Sequence, residues 1–500
     1  MPYNYKVFRS KKVTIIIYLI SLFILMSGMV LQAKASKLKA KMVSEFYWVY
    51  SDQGTGAHGD LTIYRPKLPQ GYQSLGDYAQ SNHRPGYSSV VVVCEEGNEG
   101  LLAPPLSYNR IWIDRKSGGL YDGSLWYPVA PDGYVALGCI ATSDYKEPDR
   151  NLVRCVRKDI LLEGEYGDLI WQDKGSGAVS DAALWPVISK NHKGITAGTF
   201  MTANNYETPP KITPYCLPVT IFDNIPIHTG EKKVLLIGID GCRPDQLNEA
   251  NPPNMEKLIS TGFYNDKAQT IPPTISGPGW ASMFTSVWHE QTAVVNNDFN
   301  RQVSQFQNFP PFFRRIKEVI PNIITASITD WDPIKTYMNA NVDISTAYDK
   351  VEDVVEAAKK IITGEKFNPD VDICYIHLDN VDHAGHEHGY TSPQYREAIT
   401  MADSYIGEII AAVRSRENFD KEEWLIIIST DHGGIDHGHG GSSPEETTIF
   451  FIINNLKNPV PKKTAHSQLY IIDVPPTIAS FFGIQVKPEW KWVGKTIIDF

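Results

Sequence analysis

Three apolar runs of strand length, each leading directly into acidic or imidazole residues, constrain this chain more than any other feature. Val234-Leu235-Leu236-Ile237-Gly238-Ile239 runs into Asp240, Val371-Asp372-Ile373-Cys374-Tyr375-Ile376-His377-Leu378 leads to Asp382, and Leu425-Ile426-Ile427-Ile428-Ser429-Thr430 runs into Asp431-His432. Unbroken apolarity, rather than alternation, marks strands buried on both faces of a parallel sheet. Residues 322–329 and 447–453 read as further strands, and helical patterns occupy 254–260, 280–287, 351–362, 394–414 and 474–482. This alternation predicts a doubly wound, mostly parallel α/β sheet over residues 232–500. Polar residues at the carboxyl ends of such strands meet in one crevice.

What meets there has the composition of a metal site. Asp382 and His386 stand four residues apart, His439 follows Asp431-His432 closely, and seven of the thirteen histidines fall between His377 and His439. Imidazoles clustered beside strand-end aspartates suit more than one metal ion. The Pro/Gly-rich loop 270–279 presents a single hydroxyl, Ser276, just ahead of an apolar helical run. A serine in such a loop is ordinarily a turn residue, and an aspartate closing a strand is often a helix cap. The companion segments favour a nucleophile and a ligand instead.

In order along the chain, Asp240-Gly241-Cys242-Arg243-Pro244-Asp245, the Ser276 loop, the Asp382/His386 pair, Asp431-His432-Gly433 and His439-Gly440 resemble the motifs of the alkaline phosphatase superfamily. The branch they resemble most is type I phosphodiesterase/nucleotide pyrophosphatase. The resemblance spans about residues 232–500. It implies two divalent ions, one held by Asp382, His386 and His439, the other by Asp240, Asp431, His432 and the Ser276 oxygen. It also implies that Asn297, in the run 292–297, is the amide that stabilises the phosphoryl oxygens, with Asn296 the alternative if the register slips by one. The family's His-Gly is missing from that run. Nucleotide pyrophosphatases usually carry Thr where Ser276 stands and phosphomonoesterases carry Ser, so diester and monoester substrates both stay open. Arg243 and Asp245 are expected to pair, while His377, His383, His388 and His437 are expected around the ligands. Asp298 and Glu446 are candidates for tuning the site, and the aromatic stretch 299–311 forms either a pocket wall or a packed surface loop.

The chemistry stands on physical grounds as well. A serine hydroxyl is a poor nucleophile at neutral pH, and a dication bound to it populates the alkoxide. Two dications roughly 3.5–4 Å apart can hold the attacking and leaving oxygens of an in-line displacement. Asn297 and a backbone N–H beside Ser276 are placed to donate to a nonbridging oxygen. Mixed Asp/His ligation suits Zn²⁺, with Mn²⁺ or Fe as alternatives. The expectation is a metal-dependent phosphoesterase of the phosphodiesterase/nucleotide pyrophosphatase type. It would act on a phosphate-ester small molecule or headgroup through a covalent phosphoserine. The alternatives are a phosphomonoesterase of the same superfamily and a non-catalytic surface or glycan-binding protein. No Cys/Ser-x-Pro-x-Arg segment appears, which disfavours sulfatase chemistry.

Ahead of all this, residues 1–12 carry Lys6, Arg9, Lys11 and Lys12 without an acid, residues 13–31 are almost wholly apolar, and Ala33-Lys34-Ala35 offers a small-x-small cleavage site. Residues 1–35 are therefore expected to be a signal peptide or an uncleaved anchor, and the protein to be secreted or extracytoplasmic. Without the leader's five cations the formal charge falls from −10 to −15, which argues against nucleic-acid binding. Export permits disulfides among Cys94, Cys139, Cys155 and Cys216, whereas Cys242 and Cys374 read as buried free thiols.

Residues 41–220 repeat. Tyr50-Ser51-Asp52-Gln53-Gly54-Thr55-Gly56 recurs as Trp112-Ile113-Asp114-Arg115-Lys116-Ser117-Gly118 and as Trp171-Gln172-Asp173-Lys174-Gly175-Ser176-Gly177, followed by Asp60, Asp122 and Asp181 respectively. Three such copies predict an all-β, pseudo-threefold, β-prism-like domain. Its 111–114, 122–126 and 133–138 segments resemble the Vps62-related domain. The repeated turns are read chiefly as turn chemistry over a packed core, with glycan or cell-surface contact the alternative. Residues 221–231 are expected to link the two halves.

Overall fold

The computed structural model describes residues 38–500 apart from 210, 224, 300–303, 367–368, 462–463, 465 and 499. The leader expected at residues 1–35 lies outside the described residues. No described helix is long and apolar enough to cross a membrane.

The second half is built on a seven-stranded sheet of β1 (Lys232–Ile239), β2 (Phe263–Gln269), β3 (Thr325–Thr329), β4 (Ile344–Ala347), β5 (Ile373–Leu378), β6 (Glu423–Ser429) and β7 (Thr448–Asn455). The order is β2-β7-β6-β1-β5-β3-β4. β1 sits centrally and pairs parallel with β5 and β6, so that Leu235 faces Cys374 on one side and Ile426 on the other. β3 and β4 continue the parallel set. Only β7 runs against its neighbours, antiparallel to both β6 and β2. The three apolar runs are thus the three central strands of a mixed, mostly parallel sheet.

Their unbroken apolarity has a direct cause. Val234 and Leu236 pack on one face with Trp280 and Phe284, whereas Leu235, Ile237 and Ile239 pack on the other with Ile399 and Ile406. The helices that matter for the site are α1 (Pro244–Ala250), α2 (Pro253–Thr261), α3 (Ser276–Thr285), α4 (Val351–Thr363), α5 (Asn380–His388), α6 (Pro393–Arg414) and α7 (Val474–Phe481). α6 starts where Ser392 accepts the N–H of Tyr395 with its side chain and Pro393 sets the first turn.

Every strand pairing described in the first half is antiparallel. The repeats recur as geometry. Asp52, Asp114 and Asp173 each use Oδ1 to accept the N–H nine residues on, from Leu61 at 2.7 Å, Gly123 at 3.1 Å and Ala182 at 2.8 Å. The turns interlock in a closed ring, with Leu120 N–H on Gln53 O (2.9 Å), Val179 N–H on Arg115 O (3.1 Å) and His58 N–H on Lys174 O (2.8 Å). Inside, Trp112 lies 5.8 Å from Tyr50 and 5.7 Å from Trp171 between ring centroids. The two indoles donate across repeats, Trp112 to Asp173 at 2.9 Å and Trp171 to Asp52 at 2.7 Å. All three aspartates are spent on turns, Asp52 and Asp173 also on indoles and Asp114 on the Tyr145 hydroxyl, which is the turn-and-core reading of the repeats.

All six cysteines are free, and Cys242 and Cys374 are buried as expected. The expected linker is tied in by a buried carboxylate at the start of the β5 segment. Asp372 lies 2.9 Å from His192 of the first half, 3.0 Å from His228 of the 221–231 stretch and 3.1 Å from Lys233 of β1.

Candidate metal and nucleophile site

The central strands deliver their polar ends to one place. Asp240 follows β1, Asp382 and His386 lie on α5 after β5, and Asp431 and His432 follow β6. Ser276 is the first residue of α3, so the hydroxyl sits at the positive end of a ten-residue helix rather than in a free loop. Its Oγ is 3.5 Å from Asp240 Oδ1 and 3.4 Å from His432 Nε2. Asp382, His386 and His439 each bring one ligand atom within 4.8 Å of the others, and so do Asp240, Asp382 and His432. Asp382 is therefore common to both groups. The sequence-based assignment places Asp382 with one ion and gives the other Asp431, whose Oδ2 is 3.3 Å from His432 Nε2.

The donor set fits divalent ions. His386 Nδ1 donates to the carbonyl of His437 at 3.0 Å and His439 Nδ1 donates to that of Thr274 at 2.7 Å, because a carbonyl can only accept. Their Nε2 atoms then face each other at 3.0 Å, with Asp382 Oδ2 3.1 Å from His386. Two lone pairs this close need a cation between them, a proton or a metal. In the metal-free protein the hydrogen bond to Asp382 pushes His386 up to about 9. Burial opposes charge on His432, but the Asp431, Asp240 and Asp382 carboxylates outweigh it and raise that ring to about 9. Burial and the charge of Asp240 push Asp431 well above the carboxylate range, and its Oδ2 is buried without a hydrogen-bond partner. An oxygen buried without a hydrogen bond, with the His432 ring 3.3 Å away, belongs to a site that suits positive charge. A third group, His192, His228 and Asp372, also has ligand spacing. Lys233 already supplies its cation.

Other residues hold the ligands in aim, and most of them were not legible beforehand. Asp240 Oδ2 accepts from Trp280 Nε1 at 2.9 Å and lies 3.2 Å from His377, whose Nδ1 is 2.8 Å from Asp330. His377 was expected near the ligands; Trp280 and Asp330 were missed. Tyr390 donates its hydroxyl to Asp382 Oδ1. Its ring can lie there because Gly385 and Gly434 carry no Cβ, which would sit 2.5 Å from ring carbons. Thr274 is a further hub, with Oγ1 donating to Gly441 O at 2.9 Å and accepting Gly440 N–H at 3.0 Å. Glu446 fixes the same loop through the N–H groups of Gly441 and Ser443.

Asn297 is beside Ser276, but in a particular way. Its Oδ1 accepts the Gly277 N–H at 2.7 Å, which occupies the backbone donor expected to serve substrate and leaves the amide Nδ2 for that role. Asn296 and Asn297 are both exposed. Arg243 and Asp245 pair at 2.8 Å, as expected. His437 braces His386 through its carbonyl and its own Nδ1. His383 is outward, 3.4 Å from Asp379, and His388 is near Glu387. Asp298 donates its N–H to Asn296 Oδ1. Of the 299–311 stretch, Phe299 and Phe306 are buried in the core. Phe299 stacks on Tyr337 at 4.8 Å and 10°, and meets Trp331 at 6.2 Å. Trp331 in turn lies 6.3 Å from His377. This part is a packed wall, with Trp331 and Tyr337 half-buried in front of Phe299.

The chain is similar to GPI ethanolamine phosphate transferase 1 of Mus musculus, 24% identical over 45% of this chain and 26% of that protein. It is also similar to bis(5′-adenosyl)-triphosphatase ENPP4 of Bos taurus, 22% identical over 40% of this chain and 47% of that one. Among solved structures, murine ectonucleotide pyrophosphatase/phosphodiesterase 5 aligns over 51% of this chain and 96% of its own, at 14% identity and a TM-score of 0.41. The chain thus spans between a quarter and a half of the length of these curated relatives. Residues 29–225 match the family model of Vps62, vacuolar protein sorting-associated protein 62, and residues 234–440 match that of type I phosphodiesterase / nucleotide pyrophosphatase.

Proposed function

We propose that the protein is an exported, metal-dependent phosphoesterase that cleaves phosphodiesters, with Ser276 as nucleophile. The observation that carries this is the pair of Nε2 atoms, His386 and His439, facing each other at 3.0 Å beside a carboxylate common to two ligand groups, next to a helix-terminal hydroxyl. Asp382, His386 and His439 would hold one dication, and Asp240, Asp431, His432, Asp382 and Ser276 the other. Bound there, the ions supply Lewis-acid activation of oxygen. Zn²⁺ suits the mixed donors best.

The chain's own residues do the rest. Ser276 Oγ gives up its proton and attacks phosphorus, the ester oxygen departs with its electron pair and takes up one proton in exchange, so that an alcohol leaves and a phosphoserine diester remains. Attack by water on that phosphorus releases the phosphomonoester and returns the hydroxyl. Asn297 Nδ2 donates to a nonbridging oxygen, and its carbonyl, held by Gly277, keeps it aimed. An acceptor alcohol in place of water would make the same site a transferase, the reaction named in the mouse relative. We read the first half as a β-prism on the strength of its threefold ring of turns.

The test compares bis-p-nitrophenyl phosphate with p-nitrophenyl phosphate, with Zn²⁺, with chelator and with Ser276→Ala. The expected result is chelator-sensitive diester turnover that falls at least about 10³-fold in Ser276→Ala while bound metal persists. Preference for the monoester would make the protein a phosphatase, and a chain that binds no metal would refute the catalytic reading.

A further inference from the structure

The first half does more than sit beside the catalytic half. Its segment 82–89 is bonded to the stretch that carries the aromatic wall. Ile334–Met338 is a single π-helical turn, and Tyr337 stands on it. Such a turn leaves carbonyls without helical partners. The carbonyl of Thr336, next to Tyr337, is taken by the first half, accepting from Asn82 Nδ2 at 2.6 Å and from Tyr87 Oη at 3.3 Å. Asn82 is fully buried, and its Oδ1 is fixed by Gln80 Nε2 and the Arg84 N–H.

The far side of the turn is held the same way. Asn341, at φ +59°, pairs with Ser89 as a peptide would. Its Oδ1 accepts the Ser89 N–H at 2.7 Å, its Nδ2 donates to the Ser89 carbonyl at 2.9 Å, and its own N–H donates to Ser88 Oγ at 3.0 Å. Tyr337 is thus pinned from the first half on both sides, four residues from the pin at Asn341 and one from the pin at Thr336. It stacks on Phe299, two residues beyond Asn297 in the chain, and the wall continues through Trp331 toward His377, which touches Asp240.

We propose that the Vps62 segment sets the substrate preference of the catalytic segment, with Asn82 and Asn341 as positioning residues that hold Tyr337 and Trp331 where a planar ester group rests. This rests on the proposed phosphodiesterase reading. The ligand class is a phosphodiester with an aromatic or other planar group on the ester that stays on phosphorus in the first step. Neither asparagine touches phosphorus or a ligand residue. Their loss changes affinity for the planar group and spares the bond-breaking step.

The test uses the full chain with Zn²⁺ and two diesters that share a p-nitrophenolate leaving group, bis-p-nitrophenyl phosphate and methyl p-nitrophenyl phosphate. The variants are Asn341→Gly, which keeps the left-handed backbone while removing the amide, Asn341→Asp, which keeps the acceptor for Ser89, and Asn82→Ala. Expected for Asn341→Gly and Asn82→Ala is a rise in KM of about tenfold for the diaryl ester only, the size of one aromatic contact. Their kcat stays within about threefold, and Asn341→Asp recovers part of the loss. Hydrogen exchange of the 331–342 amides rises in the same two variants. Equal effects on both diesters, or KM values that do not move, would overturn the proposal. A wild type that cleaves neither diester would defeat the phosphodiesterase reading instead, and the exchange arm would still decide whether the first half pins the turn: unchanged protection of 331–342 overturns it.

Discussion

Gly241→Ala puts the closeness of the ligand cage to the test. Gly241 has φ +62°, so an L-residue there costs about 1–2 kcal/mol. An added Cβ would stand 2.0 Å from Asp382 Oδ1 and 2.8 Å from that residue's Cβ and Cγ. Ordinary non-bonded separation is about 3.5 Å, so the carboxylate must withdraw by more than about 1 Å. It cannot do so freely, because its helix is packed and Tyr390 bonds the same oxygen. Losing that charge-assisted bond adds about 1.5–3 kcal/mol. The metal-free variant should therefore be less stable by about 2.5–5 kcal/mol, or roughly 5–20 °C in Tm for a domain of this size. Since Asp382 is common to both ligand-spaced groups, binding of both proposed ions should weaken, and diester turnover should fall at least about 100-fold. The assay is thermal unfolding in chelator, metal content by mass spectrometry, and turnover on bis-p-nitrophenyl phosphate. Gly438→Ala is the control, since an added Cβ there meets nothing within 4 Å. A Gly241→Ala protein that keeps two metals and turns over within threefold of wild type refutes the reasoning.

Two further outcomes are expected. Burial opposes ionisation of Asp372, but Lys233, His192 and His228 overcome it and hold the carboxyl far below its ordinary range. A depressed folded pKa stabilises above the unfolded value and is lost as pH falls below it, so Asp372→Asn should cost about 3–5 kcal/mol at pH 7. The gap to wild type should narrow below about pH 3.8, as read by urea unfolding at several pH values. Asn297→Ala should lower kcat for the diester about 10²–10³-fold with metal content unchanged, since it removes one donor and leaves the Gly277 N–H without its acceptor.

The sheet was legible because burial on both faces forces the unbroken apolarity of Val234–Ile239 and Leu425–Ile428, and few other arrangements tolerate it. The edge strands were not. Phe263–Gln269 includes Asn265, Asp266 and Lys267, and a strand with one partner needs no apolar face on both sides. The strand-end aspartates and histidines were visible as a cluster, because such residues are costly there unless they do something. The residues that aim them were hidden by their ordinariness. Trp280 reads as core, Thr274 as a loop residue and Tyr390 as one more aromatic, and only the fold brings each to a ligand. One signal for Tyr390 did exist, in the glycines at 385 and 434. The sharing of Asp382 was likewise out of reach, since spacing along the chain cannot say how many neighbours one carboxylate will have.

The ring of turns in the first half bears on ancestry. Each turn carbonyl is met only by the next unit, and the last is met by the first. A single unit of about sixty residues would leave its carbonyl and its indole unmet, and would have no closed interior. Three separate copies would restore every bond. A unit of this kind could therefore have begun as a homotrimer, later fused end to end into one chain. Fusion freed the copies to diverge, which is how Tyr50 can stand where its sisters keep tryptophan.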